Sequence, residues 1–150
     1  MALKADIRFL NFNIMDRTFS LPLLSTFSES EKIPDFVDHI RDECNLDEEK
    51  AETFKLVLSE AVTNAIVHGN KQDESKSVDV SVTVANESIS ADVIDEGEGF
   101  DHDQETNPLE EENLLETSGR GVFLIREFAD YVEFKKNGTH IHFRINLNGV

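Results

Sequence analysis

Three groups of residues in this 150-residue chain have types and spacings that could do chemistry. Glu60, Asn64 and His68 recur every four residues. On a helix of about 3.6 residues per turn they share one face, one above the next. Their stripe runs beside an apolar one, at the margin of the core, where polar groups need partners. A second account of the same residues stays open: Asn64 could cap a neighbouring loop and His68 the end of its own helix. Asp95-x-Gly97-x-Gly99-Phe100 places a carboxylate at a strand end. The two residues without Cβ let the backbone turn sharply and approach a flat ligand, although taken alone the motif reads first as a plain turn. The stretch 95–103 is only superficially like a calcium loop, because its acids miss the EF-hand spacing. Gly119-Arg120-Gly121 opens a helix, whose free N–H groups and partial positive charge attract phosphate. Arg120 adds a cation to acidic surroundings. No Gly-x-Gly-x-x-Gly, Walker A or Gly-x-Ser-x-Gly pattern occurs, which excludes Rossmann, P-loop and nucleophile-elbow sites.

The elements that must position these groups follow from periodicity. Phe19, Leu21 and Leu23 alternate, with Pro22 pointing to an edge strand. The segment 7–14 is apolar but alternates poorly. Ser28 and Glu31 have the spacing of a capping box, so a helix is expected from there to about Cys44, burying Ile33, Phe36, Val37 and Ile40. Asp47 is the next N-cap. Phe54, Val57, Leu58, Ala61, Val62, Ala65 and Ile66 then form one broad stripe, and Gly69 supplies a stop. Val78 to Val84 and Ile89 to Val93 alternate around Asn86-Glu87, which predicts a hairpin with one buried face. A short helix is expected over 122–129, then two strands, 131–134 and 141–147, joined at Asn137-Gly138. His140 and His142 point to one sheet face, read as exposed rather than as a metal pair. His39 and His102 are read as solvent-facing and Cys44 as a small core residue. The fold class is α+β: a two-layer sandwich, a mostly antiparallel mixed sheet with helices on one face.

Composition narrows the function. Fourteen basic against 31 acidic residues give a net charge of −17, which repels nucleic-acid backbones and anionic membranes. The longest stretch free of charged side chains, Thr18 to Ser28, falls far short of a bilayer span. No secretory signal opens the chain, and the one cysteine excludes internal disulfides and fits a reducing, cytoplasmic compartment. Seven carboxylates and no Lys or Arg fall between Asp101 and Ser118, a solvated loop or a mobile lid.

The three groups occur in one order: Glu60-x-x-x-Asn64-Ala65-x-x-His68-Gly69, then Asp95-x-Gly97-x-Gly99-Phe100, then Gly119-x-Gly121 before a helix. Together they resemble the Bergerat-fold ATPases, the family of gyrase subunits, Hsp90-type chaperones, MutL-type proteins and histidine kinases. The stretch Leu58-Ser59-Glu60-Ala61-Val62-Thr63-Asn64-Ala65-Ile66-Val67-His68-Gly69-Asn70 is most similar to the bacterial anti-sigma factor serine kinases. The resemblance covers roughly residues 18–147. It implies ATP and magnesium as cofactors, with Asn64 as the metal ligand, Asp95 as the adenine reader and Gly97 and Gly99 lying against the base. It further implies Gly119 to Gly121 as the phosphate-cradling turn under a lid at 101–118, Thr139 behind the adenine pocket and Glu60 as general base. His68, Phe100 and Arg120 belong to the same implied site. The implied partners are an antagonist protein and a sigma factor, with no direct nucleic acid or membrane contact, and the implied assembly is a homodimer. The acidic charge suits a partner with basic regions. Residues 1–17 read as an extension and 18–150 as one ATP-binding domain. Some of these kinases carry Arg two residues before the first phosphate-loop glycine; this chain has Thr117 there. That departure leaves a nucleotide-gated switch without phosphoryl transfer as the alternative.

Overall fold

A computed structural model describes residues 16–98 and 117–147, with only the backbone of 117–120. The strands are β1 (Arg17–Leu24), β2 (Ser77–Val84), β3 (Ser88–Ile94), β4 (Tyr131–Lys135) and β5 (His140–Asn146). They form one sheet in the order β1-β2-β3-β5-β4. Every described pairing is antiparallel, so the mixed pairing expected from sequence is absent among the described strands. Three helices complete the described fold: α1 (Lys32–Cys44), α2 (Glu48–Asn64) and α3 (Thr117–Phe128).

Register explains why the helices take one face. Leu21, Val80, Val93, Ile141 and Phe134 lie in one row across the sheet, and Phe19, Val82, Ala91, Phe143 and Val132 in the next. These rows face the helices, and Val80, Val82, Ala91, Val93, Ile141 and Phe143 are fully buried there. Phe54 of α2 meets Phe143 with ring centroids 5.4 Å apart. The rows between are polar. On that open face Asp92 Oδ1 is bonded by both His140 Nε2, at 2.8 Å, and His142 Nδ1, at 3.0 Å. Burial pushes the Asp92 carboxyl up, but these two bonds outweigh it and hold it below the ordinary carboxylate range. Both rings are half-buried, and among the described residues no group of three or more ligating side chains is placed to hold a metal ion. Among the described strands β1 lies at one end of the sheet, which accommodates Pro22. No helix among the described residues is long and apolar enough to cross a membrane.

The helix starts differ from the sequence expectation twice. Ser28 does not cap α1. Residues 27–31 wind as a 3₁₀ turn and α1 begins at Lys32. The cause is Pro34, which the later start places at the third helical position, where its missing N–H costs nothing. A start at Ser28 would put that ring inside the helix, against the carbonyl four residues back. Glu29 serves elsewhere, accepting from the Leu24 N–H at 3.0 Å. The helix expected over 122–129 begins at Thr117 instead, so Thr117 and Ser118 are helical rather than part of a lid. Asp47 does cap α2, accepting from the Lys50 N–H at 3.0 Å. His39 is exposed, and Cys44 is half-buried against the core at the end of α1. The expected strand at 7–14, His102, Gly99, Phe100 and the acidic run 101–116 lie outside the described residues.

Candidate functional site

The site grows from the C-terminal end of α2. Its apolar stripe is fixed in the core by Phe54, Val57, Leu58, Ala61 and Val62. After Asn64 the helix widens into a π-helical turn, Ala65–Gly69, closed by the Asn70 N–H donating to the Ala65 carbonyl at 2.8 Å. Such turns shift the phase of the helix face and are frequent at functional sites. Glu60 and Asn64 lie one regular α-helical turn apart, Glu60 half-buried and Asn64 buried, whereas His68 falls inside the π-helical turn and is exposed.

Asn64 is 4% exposed, and neither Nδ2 nor Oδ1 has a hydrogen-bond partner among the described residues. What lies over it is Gly121, in α3. A Cβ on Gly121 would stand 2.8 Å from Asn64 Nδ2 and 2.9 Å from Oδ1. The sequence expectation set Gly119 to Gly121 ahead of a helix. In the structure they lie within the first turns of α3, because close approach to α2 at Gly121 overrides glycine's poor helix propensity. The side chain of Arg120 lies outside the described residues.

Asp95 follows β3 directly and is buried. Its N–H donates to the Thr139 carbonyl at 2.8 Å, which puts the turn between β4 and β5 behind it. The Thr139 hydroxyl donates to Lys136 O at 2.9 Å, within its own turn. Asp95 Oδ1 accepts from the Gly97 N–H at 2.8 Å. Burial pushes the Asp95 carboxyl above the ordinary range, opposed by the Gly97 N–H and the Lys76 charge. Gly69 lies under this carboxylate: a Cβ there would overlap it, standing 2.5 Å from Asp95 Cγ. A Cβ on Gly97 would in turn overlap the Gly69 carbonyl. Neither glycine has a positive φ. Gly69 is there for closeness, not as a left-handed helix stop, and Gly97 likewise serves a close approach rather than a sharp turn.

Asn64 with Gly121, and Asp95 with Gly69 and Gly97, thus meet at the end of one helix. Asn64 directly precedes the π-helical turn that Gly69 ends. An orphaned amide carbonyl beside a helix start suits a hard cation and the phosphates it bridges. A desolvated carboxylate beside bare backbone suits a flat ring bearing an amine. Asn64 Oδ1 fits magnesium on both counts, as a neutral oxygen donor with no partner among the described residues.

One residue escaped the sequence reading. Asn70 is 1% exposed, and its side chain bonds Ser25, Ser77 and the Glu96 backbone. Only its place just after His68-Gly69 could have drawn notice.

The chain matches the family model described as a histidine kinase-like ATPase domain over residues 29–145. An anti-sigma F factor of Clostridium perfringens is 37% identical over 105 residues, 67% of this chain and 75% of that relative. An anti-sigma F factor of Bacillus cytotoxicus is 38% identical over 99 residues, 63% of this chain and 68% of the relative. The solved RsbU and RsbW domains of a Mycobacterium tuberculosis protein superpose with a TM-score of 0.60 at 14% identity. That match covers 87% of this chain and 31% of the solved one, and speaks to the fold alone.

Proposed function

The chain belongs to the histidine kinase-like ATPase family, and from that premise we propose that it is an ATP- and magnesium-dependent serine kinase of the anti-sigma factor type. Its substrate is an antagonist protein, and in its nucleotide-bound form it sequesters a sigma factor. The observation that carries this reading is the buried amide of Asn64, unpartnered among the described residues and facing Gly121, while Asp95 sits buried on Gly69. One group suits the metal and phosphate end of ATP, the other the amine of its base. The 37% identity to an anti-sigma F factor supports the partner class. The same reading takes residues 18–150 as the ATP-binding domain, 1–17 as an extension, and the protein as a cytoplasmic homodimer.

In this reading Asp95 accepts from the exocyclic amine of adenine, and Gly97, packed against the Gly69 carbonyl, keeps the backbone beside the acid close. Asn64 would hold magnesium through its carbonyl oxygen, and the metal would supply charge neutralisation at the phosphates. Glu60, one turn before Asn64, takes the serine proton as the serine oxygen bonds to the γ-phosphorus and ADP leaves. Glu60→Gln should reduce serine labelling from radiolabelled ATP by roughly 10²- to 10⁴-fold. Mg-ATP affinity by calorimetry should stay within about threefold, since a general base contributes at the transition state. Thr117, standing where some relatives carry Arg, favours a second reading: a nucleotide-gated grip on a partner without transfer. A wild type that binds ATP and switches partners, yet never labels serine, decides for that reading.

A further inference from the structure

We propose that Asn70 is the positioning residue for Asp95, and that it sets the preference of this site for adenine over guanine. The inference rests on the nucleotide reading above and deepens it. Three segments converge on the Asn70 amide. Nδ2 donates to Ser25 Oγ at 2.5 Å, just past β1, and to the Ser77 carbonyl at 2.9 Å, where β2 begins. Oδ1 accepts from the Glu96 N–H at 2.7 Å. Glu96 adds to the knot, its Oε2 accepting from the Ser77 N–H at 2.6 Å.

The place of these bonds in the chain gives them their function. Glu96 is the residue after Asp95, and Gly69, on which the Asp95 carboxylate rests, is the residue before Asn70. Three consecutive N–H groups are thereby assigned: Asp95 to Thr139 O, Glu96 to Asn70 Oδ1, and Gly97 to Asp95 Oδ1. The middle one is the only one of the three that ties the acid's loop to the helix end beneath it. The Asn70 backbone N–H closes the π-helical turn under the same spot. Asn70 therefore fixes both the seat of the acid and the backbone that carries it.

Base choice depends on that fixation. Adenine presents an amine where guanine presents a carbonyl oxygen. A carboxylate held in place accepts from the first and repels the second. Site geometry loose by about 1 Å loses such discrimination.

The test compares Mg-ATP, Mg-GTP and magnesium tripolyphosphate, titrated by calorimetry into the full chain at a temperature where circular dichroism shows it folded. In Asn70→Ala, ATP affinity should fall roughly tenfold or more, while GTP and tripolyphosphate stay within about twofold, so the ATP-to-GTP ratio collapses. Asn70→Asp keeps an acceptor for the Glu96 N–H. It should hold the ratio within about threefold of wild type even where its melting temperature drops, a rescue that a merely structural role does not predict. If Asn70→Ala is unfolded, Asn70→Ser is read the same way. A folded variant with an unchanged ratio, or equal weakening of all three ligands, overturns the inference and leaves the nucleotide reading standing. So does failure of both Ala and Ser variants to fold, which makes Asn70 a structural clamp and nothing more. A wild type that binds none of the three overturns the nucleotide reading itself, and the inference with it.

Discussion

Asn64 and Asn70 stand six residues apart, one at the last position of α2 and the other just past the π-helical turn. Both are buried, at 4% and 1% exposure. Their amides are treated in opposite ways. That of Asn70 is engaged on oxygen and nitrogen, by Glu96, Ser25 and Ser77. That of Asn64 has no partner on either atom among the described residues. Leaving a buried amide unpartnered costs about 1–3 kcal/mol. In the nucleotide reading proposed above, the fold carries this cost at one asparagine and avoids it at the next because the first is kept for a ligand. The contrast separates a residue held ready for a ligand from one that holds the fold around the ligand.

Glycine substitutions test the contrast with the largest effects. Gly97→Ala drives a Cβ into the Gly69 carbonyl, backbone against backbone, in a loop already tied down on both sides. A loss of about 3 kcal/mol or more is expected in urea melts. Gly121→Ala instead meets the far end of the Asn64 side chain, which no hydrogen bond holds among the described residues. The amide can rotate aside, and alanine's better helix propensity offsets up to about 1 kcal/mol, so stability should barely change. Mg-ATP binding should nonetheless fall sharply. Equal melts for the two variants would break the distinction between the two ends of the site.

The asparagines themselves come next. Asn70→Ala strands the Glu96 N–H and the Ser77 carbonyl, and should cost about 2 kcal/mol of stability. Asn64→Ala removes an amide that was already stranded, so relief of that cost opposes lost packing and the net change should stay within about 1 kcal/mol. Its effect belongs to the ligand: Mg-ATP should weaken much more than metal-free adenosine. Similar melting losses for the two variants, or equal loss of both ligands in Asn64→Ala, would remove the functional meaning of the orphaned amide.

What the sequence could carry follows from the range of the forces involved. The alternation in β2, β3 and β5 and the stripe on α2 are local patterns, and the structure places each on the buried face as read. The Asp47 cap is equally local. At the start of α1 the capping-box spacing of Ser28 competes with Pro34, and the proline's steric demand is the stronger. α3 was started late because its glycines look like breakers until Asn64 is seen against Gly121, a contact between residues 57 apart in the chain. The π-helical turn leaves no mark in the spacing of Glu60, Asn64 and His68: Glu60 and Asn64 keep the regular α-helical relation, and only His68, inside the turn, is shifted from it. Asn70 was invisible for a similar reason. Its value lies in partners 7, 26 and 45 residues away, which no short-range pattern encodes.

The smallest expected effect bears on Asp95, the charged member of the satisfied end. Burial raises its folded pKa above the ordinary value of 3.8, against the opposing pull of the Gly97 N–H and Lys76. The folded state thus holds a proton on Asp95 more tightly than the unfolded state does. The stability this contributes is fully present below the ordinary value and is lost as pH rises through the folded one. At neutral pH the carboxylate is a net burden on the fold. Asp95→Asn keeps the shape and an acceptor for Gly97 while removing the charge, so it should stabilise by on the order of 1 kcal/mol, about 2–4 °C in Tm. That advantage should shrink as pH falls toward 4 and vanish below it, and adenine binding should be lost in the same variant. A fold that gains stability where its ligand loses affinity marks a charge kept for binding. An Asp95→Asn protein less stable than wild type at neutral pH would instead make the acid part of the scaffold that Asn70 serves.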